Sequence, residues 1–440
     1  MELNQVVRNN HQKTQHICAS MLLLLILTFF SVERIQATII ATHTIKIHSL
    51  CAQDNDLVVL LGKQLPMLLG HDIESLSLFS YRKALADSHL SSSPSKIRFQ
   101  IDQRDEKGRF ILPLPDDIRN TKHLFNKQDE LVFREKDLAQ RIEQGSPWLQ
   151  ESRVIELELL NNEAVSKWLY IRLNNPISEA KLPALLDYDV EHDTIIGADY
   201  KLGFSKSFPF LVDKFHWRVP HSSQWGNDLS DTMKIRHKGN FLGFAFERDQ
   251  DDYYSSLVAL KKGPLRIIRR TENKIKVLWK LKSPSLFIDY VMMPSGFVMD
   301  TMVDIPFSVG LFFSHLETLT TMDWNPVVQD DALVVQASQD YPKIVINGMT
   351  SDAQKQFNQT LGTEFSLLSR MGRFRVMLDV PDNFPIQSQL YLQDAIDKPD
   401  PPESSKGQFG NIGFKTTGWE NADNQLYHLK FTVCVKLADQ

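Results

Sequence analysis

The stretch YHLKFTVCVKL, residues Tyr427–Leu437, decides the fold class. Tyr427, Leu429, Phe431, Val433, Val435 and Leu437 alternate with His428, Lys430, Thr432, Cys434 and Lys436. Side chains of a strand point to opposite faces at every step, so this pattern is a strand with one buried and one wetter face. Upstream, Ile275, Val277, Trp279 and Leu281 repeat the alternation between lysines. With Leu265–Thr271 before them and the polar pair Glu272-Asn273 between, residues 265–281 read as a hairpin turning at that pair. Further strands are expected at 56–61, 75–81, 97–101, 130–133, 154–160, 168–173, 333–337 and 373–378. Helical patterns are short, at Glu135–Glu143 and Ser351–Thr360, where Ser351 is placed to cap the first turn. The expected class is mainly β, with antiparallel β-sandwich-like sheets and a few short helices.

The composition suits a packed protein. The chain has 440 residues, 42% of them hydrophobic, with 49 Lys plus Arg against 54 Asp plus Glu. It is too apolar for disorder and long enough for more than one domain. Residues 1–20 carry Arg8 and Lys13 and lead into the apolar run Met21–Phe30, which polar Ser31, Glu33 and Arg34 close. A spanning helix needs about 20 apolar residues and a signal-peptide core roughly 7 to 15. Residues 1–37 therefore read as a secretory signal peptide ending at Ala37, with retention as an anchor the alternative. The expected location is exported, in the periplasm or at the cell surface, with no transmembrane span after cleavage. The net charge of −5 argues against nucleic acid as a partner, because such binding leans on clustered positive charge.

Boundaries are soft. An N-terminal β-rich domain is expected at 38–182, closed by the Asn174-Asn175-Pro176 breaker, and a central β-rich domain at 183–396. The segment DKPDPPESSKG, 397–407, reads as an exposed Pro-rich loop before C-terminal strands at 408–440 that pack on the central domain. After the signal only Cys51 and Cys434 remain, a pair that can either join the two ends in an oxidising compartment or stay as small buried residues. Four segments, Phe99-Gln100-Ile101-Asp102, Asp129-Glu130-Leu131-Val132-Phe133, Trp168-Leu169-Tyr170 and Gly263–Arg270 (GPLRIIRR), resemble blocks of a group of exported bacterial proteins to which no activity is assigned. The resemblance spans about residues 70–310 and implies export and a β-rich body; it carries no function.

Two charged features are candidates for chemistry. Asp187, Asp189, Glu191 and Asp193 occupy alternate positions, and in a loop such carboxylates can converge on Ca²⁺. The segment lacks the glycine and terminal Glu of an EF-hand loop, so it reads equally as a solvated acidic turn. No other cofactor is expected. From Lys261 to Lys282 there are nine basic residues against one acid, Glu272. Arg266, Arg269, Arg270, Lys274, Lys276 and Lys280 are the candidate ligand-binding set, for an acidic glycan or a protein partner. The same lysines can instead form the wet face of a sheet and guard its edge. Met292, Met293, Met299 and Met302 read as core filling rather than a Cu(I) site.

Nucleophile and phosphate motifs are missing: there is no GxSxG elbow, no P-loop and no HExxH. The sequence thus points to an exported soluble binding or assembly protein of unknown ligand, leaning away from catalysis. The alternative is a carbohydrate-active hydrolase, lyase or epimerase on a large sandwich. In that reading Trp217, Trp225, Tyr253, Tyr254, Trp324 and Trp419 would line a sugar groove.

Overall fold

The computed structural model describes residues 42–51, 56–83, 94–113, 123–150, 153–173, 183–278, 280–325, 333–398, 400–402 and 408–438. The expected signal peptide, the 174–182 boundary and Trp279 lie outside them. No helix among the described residues is long and apolar enough to cross a membrane. The protein is mainly β, with antiparallel pairing almost throughout. The two short α-helices among the described residues are Pro147–Gln150 and Asp352–Phe357, the second capped by the Ser351 hydroxyl, which accepts from the Gln354 amide.

Two sheets face each other to form the main sandwich. One has five strands, in the order Phe244–Arg248, Ser230–Phe241, Phe313–Trp324, Phe409–Thr417 and Gln387–Gln393. The other runs Tyr253–Lys262, Ile267–Leu278, Leu286–Met293, Gly296–Ile305, Gln425–Leu437, Gly372–Asp379, Glu364–Leu368, Val334–Gln336 and Ile344–Val345, with Leu281–Lys282 paired to the second. The stretch that set the fold class is thus an interior strand of the larger sheet. It fits there because Tyr427, Leu429 and Phe431 join the sandwich core while Thr432 and Cys434 are buried on the other face. The C-terminal segment therefore contributes one strand to each sheet.

Residues 42–173 build a smaller unit of their own. A five-stranded sheet, containing the parallel pair Thr42–Lys46 and Val154–Leu160, and a three-stranded sheet enclose a separate core that includes Leu60, Leu78, Leu131, Leu157 and Ile171. This unit packs on the outer face of the ten-stranded sheet, where Phe110 and Leu112 meet Ala259, Ile268 and Val291. A disulfide joins Cys51 to Cys434 across the same junction.

Three expectations need correcting. Glu272 and Asn273 do not turn the chain. Ile267–Leu278 is one continuous strand whose hairpin partner is Tyr253–Lys262, and the turn is at Gly263–Arg266, closed by the Gly263 amide on the Arg266 carbonyl at 3.1 Å. Asn273 can sit fully buried in mid-strand because its amide donates to the Thr271 hydroxyl and its carbonyl accepts from Ser255 at 2.6 Å. A side chain added at Gly263 would strike the Gln100 amide, so only glycine admits the smaller unit this closely. Secondly, Glu135–Glu143 forms a single 3₁₀ turn, Glu135–Asp137, and then runs extended. Neighbouring strands take its backbone groups, through the Gln140 amide on Tyr81 and the Ala139 carbonyl under Trp168. Thirdly, the Pro-rich loop is exposed at Asp397 and Lys398 but turns inward at Asp400. The Asp400 carboxylate pairs with Arg236 and accepts from Tyr391 at 2.8 Å and Asn411 at 2.6 Å.

Candidate functional site

The basic segment does not form an open positive surface. Arg266 is buried between Asp102, at 2.6 Å, and Glu130 of the smaller unit. Burial opposes ionisation of Asp102, but the Arg266 and Lys261 cations outweigh it and hold the carboxyl below its usual range. Arg269 is fully buried and grips Asp193 with two nitrogens, and Arg270 grips Asp289 with two bonds of 2.7 Å. Lys274 pairs with Glu272 at 3.0 Å, and Lys276 lies 4.0 Å from Asp252. Lys280 alone of the six is exposed without an ion pair among the described residues. Arg266 and Arg269 thus fasten the larger sheet to its neighbours, while Arg270 ties two of its own adjacent strands.

The acidic turn is likewise not a cation site. Asp187 and Asp189 lie on one short strand, and Asp193 lies beyond the turn in the left-handed region with φ 45°. Asp193 is held by Arg269 and by the Tyr188 hydroxyl at 2.6 Å, while Asp189 accepts from His192 at 2.8 Å and Glu191 is exposed. The four carboxylates do not converge, and no group of three or more His, Cys, Asp or Glu among the described residues could hold a metal ion. The six aromatics do not form one groove, although Tyr253 and Trp419 both line the cavity between the two large sheets. Trp217 and Trp324 are core residues, Trp225 stacks under Arg218, and Tyr254 stands outside with the Lys282 ammonium 3.6 Å from its ring centre.

The strongest feature is one that sequence reasoning missed. Between the two large sheets, toward the end that carries the Phe241–Phe244 turn, lies a cavity of about 430 Å³. Its walls follow from strand alternation. Ile235 and His237 point inward while Lys234 and Arg236 point outward; across the gap Met299, Thr301, Val303 and Ile305 face in, beside Leu429 and Phe431. A smaller space of about 90 Å³ continues into the core and shares Met299, Thr320 and Phe431 with it. Lys282, Pro284, Asp304 and Phe307 stand among the lining residues at the open end. There Phe307 meets Phe312 edge to face, and the Phe312 carbonyl accepts from Leu242. The apolar surface continues outside: Phe244 is 75% exposed, Leu311 70% and Leu242 60%.

Polar atoms on this wall are few. His237 bonds through Nε2 to the Tyr253 hydroxyl at 2.6 Å and through Nδ1 to the Thr318 hydroxyl at 2.9 Å. Burial pushes its pKa down to about 4, so the ring is neutral at ordinary pH. Thr416 accepts from the Trp419 indole at 2.9 Å and donates to the Thr318 carbonyl at 3.2 Å. The sequence signal for this set was a polar residue in an apolar phase: His237 after Met233 and Ile235, and Thr318 after Leu316.

No protein-family model matches this sequence, and no curated protein matches it. Among solved structures it is similar to an alpha-mannosidase from Enterococcus faecalis V583, with 8% identity and a TM-score of 0.41, over 86% of this chain and 45% of that one. It is similar also to a protein in glycosyl hydrolase family 38 from Enterococcus faecalis, with 6% identity and a TM-score of 0.40, over 89% of this chain and 43% of that one. The chain therefore spans less than half the length of either. A superposition this loose transfers no activity.

Proposed function

We propose that the protein is an exported binding protein whose main sandwich takes an apolar ligand into the cavity between its sheets. The observation that carries this is the cavity itself. Protein interiors pack like organic crystals and leave few voids larger than a water molecule, whereas ligand pockets run from about 300 to 1,000 Å³. At about 430 Å³, walled by Ile, Val, Leu, Met and Phe side chains, the space is of ligand size and favours an alkyl chain or an apolar ring system. The disulfide supports export, because such bonds persist in oxidising compartments. Binding is favoured over sugar hydrolysis by the acid count: glycosidases work with two carboxylates roughly 5 to 10 Å apart, and among the described residues Asp304 is the only acid on the cavity wall.

The test is binding of a neutral naphthylamine dye that fluoresces in apolar surroundings, with the wild type and Leu316→Trp, which narrows the cavity. Saturable binding that the substitution weakens at least tenfold, with an unchanged circular-dichroism spectrum, is expected. Equal binding by both proteins, or none, would refute the proposal. Thermal stabilisation by a neutral oligosaccharide instead would restore the carbohydrate-active reading.

A further inference from the structure

The cavity has one polar point whose hydrogens can be counted. Thr318, His237 and Tyr253 form a chain of two hydrogen bonds, and with the imidazole neutral they carry three polar hydrogens: two hydroxyl and one N–H. Two bonds use two of these. One donor is therefore left over, whichever tautomer the ring adopts.

Which group keeps it depends on the tautomer of His237. A contact of 2.6 Å is short for N–H donation and normal for O–H donation, whereas 2.9 Å is the commonest N–H distance. With Tyr253 donating to Nε2, Nδ1–H donates to Thr318 and the Thr318 hydroxyl keeps its own hydrogen; in the other tautomer the Tyr253 hydroxyl, which lines the same cavity, keeps it. Thr318 is 7% exposed and lines the cavity, and among the described residues no acceptor receives that hydrogen. A buried donor without a partner costs free energy unless something supplies an acceptor.

We infer that the ligand is an apolar molecule bearing one neutral acceptor oxygen, a ketone, ester, ether or alcohol, and that the Thr318 hydroxyl, held in place by His237 and Tyr253, donates to that oxygen. A carboxylate fits this point poorly. His237 is neutral, and among the described residues the only lining cation is Lys282, which sits at the rim against the Tyr254 ring. An ionised group brought to Thr318 would lose its hydration with one hydrogen bond in return. Thr318 and His237 are positioning and recognition residues in this account; no bond of the ligand is broken.

The inference rests on the cavity being a ligand site, and the test separates the two. Affinities of decane, dibutyl ketone and nonanoate are measured by displacement of the neutral dye from the wild type, Thr318→Val and Thr318→Ser. Decane should bind Thr318→Val at least as tightly as the wild type, because no donor is then left covered without an acceptor. The ketone-to-decane affinity ratio should fall about fivefold to tenfold in Thr318→Val, the worth of one hydrogen bond, and be kept in Thr318→Ser. Nonanoate should bind more weakly than the ketone to all three. An unchanged ratio in Thr318→Val overturns the inference while leaving the apolar site standing, and failure of all three ligands to displace the dye overturns both. Should Thr318→Val not fold, the carbonyl stretch of the ketone bound to the wild type decides: a shift to lower frequency than in hexane is expected, and an unshifted band refutes the assigned donor.

Discussion

Binding in a closed-ended apolar space should depend on ligand length in a way that surface adsorption cannot imitate. Each methylene moved from water into the cavity contributes about 0.8 kcal/mol, close to fourfold in affinity per carbon. The gain stops when the space is full. In a series of straight-chain alcohols from hexanol to octadecanol, log affinity should therefore rise steadily, then flatten once the chain fills the cavity. Leu316→Trp places an indole on the wall and should move the break to shorter chains. Displacement of the neutral dye gives the affinities, and calorimetry on one soluble member should show the negative heat-capacity change of apolar burial. A straight line running past the capacity of the cavity, identical in the variant, would mean that the alcohols adsorb to the apolar rim around Leu242, Phe244 and Leu311. No dependence on length would refute the apolar reading altogether.

Other consequences concern the scaffold. Replacing Cys51 and Cys434 by Ser opens a loop of 383 residues and should lower unfolding free energy by about 2 to 5 kcal/mol, read by urea titration with and without reductant. Asp193→Ala strips the buried Arg269 of its carboxylate and should cost about 3 to 5 kcal/mol, whereas Glu191→Gln on the same turn should change stability by less than about 0.5 kcal/mol. His237 has its folded pKa lowered to about 4 from 6.5, so the unfolded chain takes the proton first as pH falls. Its contribution is present above pH 6.5 and lost between there and about 4, at most about 3 kcal/mol. His237→Gln should flatten the stability profile in that window, and an unchanged profile would assign the slope to other groups.

The strands were legible because period-two alternation is local: Tyr427–Leu437, Val154–Leu160 and Gly372–Asp379 each declare themselves within a few residues. What failed was everything decided by partners far along the chain. Glu272-Asn273 has turn composition, yet Ser255 and Ser285 satisfy both side chains and the strand continues. The nine-to-one charge bias of residues 261–282 is real in sequence, but in space its three arginines are taken up by ion pairs. Arg266 meets Asp102 and Glu130 at separations of 164 and 136 residues, and Arg269 meets Asp193 at 76. A run of charge therefore says little about surface potential in a fold whose neighbouring strands are so distant in sequence.

The cavity escaped detection for a different reason. Its walls and a filled core demand the same residues at the same alternating positions, so Val303, Ile305 and Leu429 look alike whether they touch other side chains or an open space. Only the polar exceptions carry information. A histidine in phase with Met233 and Ile235, facing a threonine in phase with Leu316, must satisfy its hydrogen bonds on an apolar wall. In a sealed core selection would favour an apolar pair at these positions, because a half-satisfied network is worse than none. Here the network leaves one hydrogen over on that wall, and the inferred ligand oxygen would accept it.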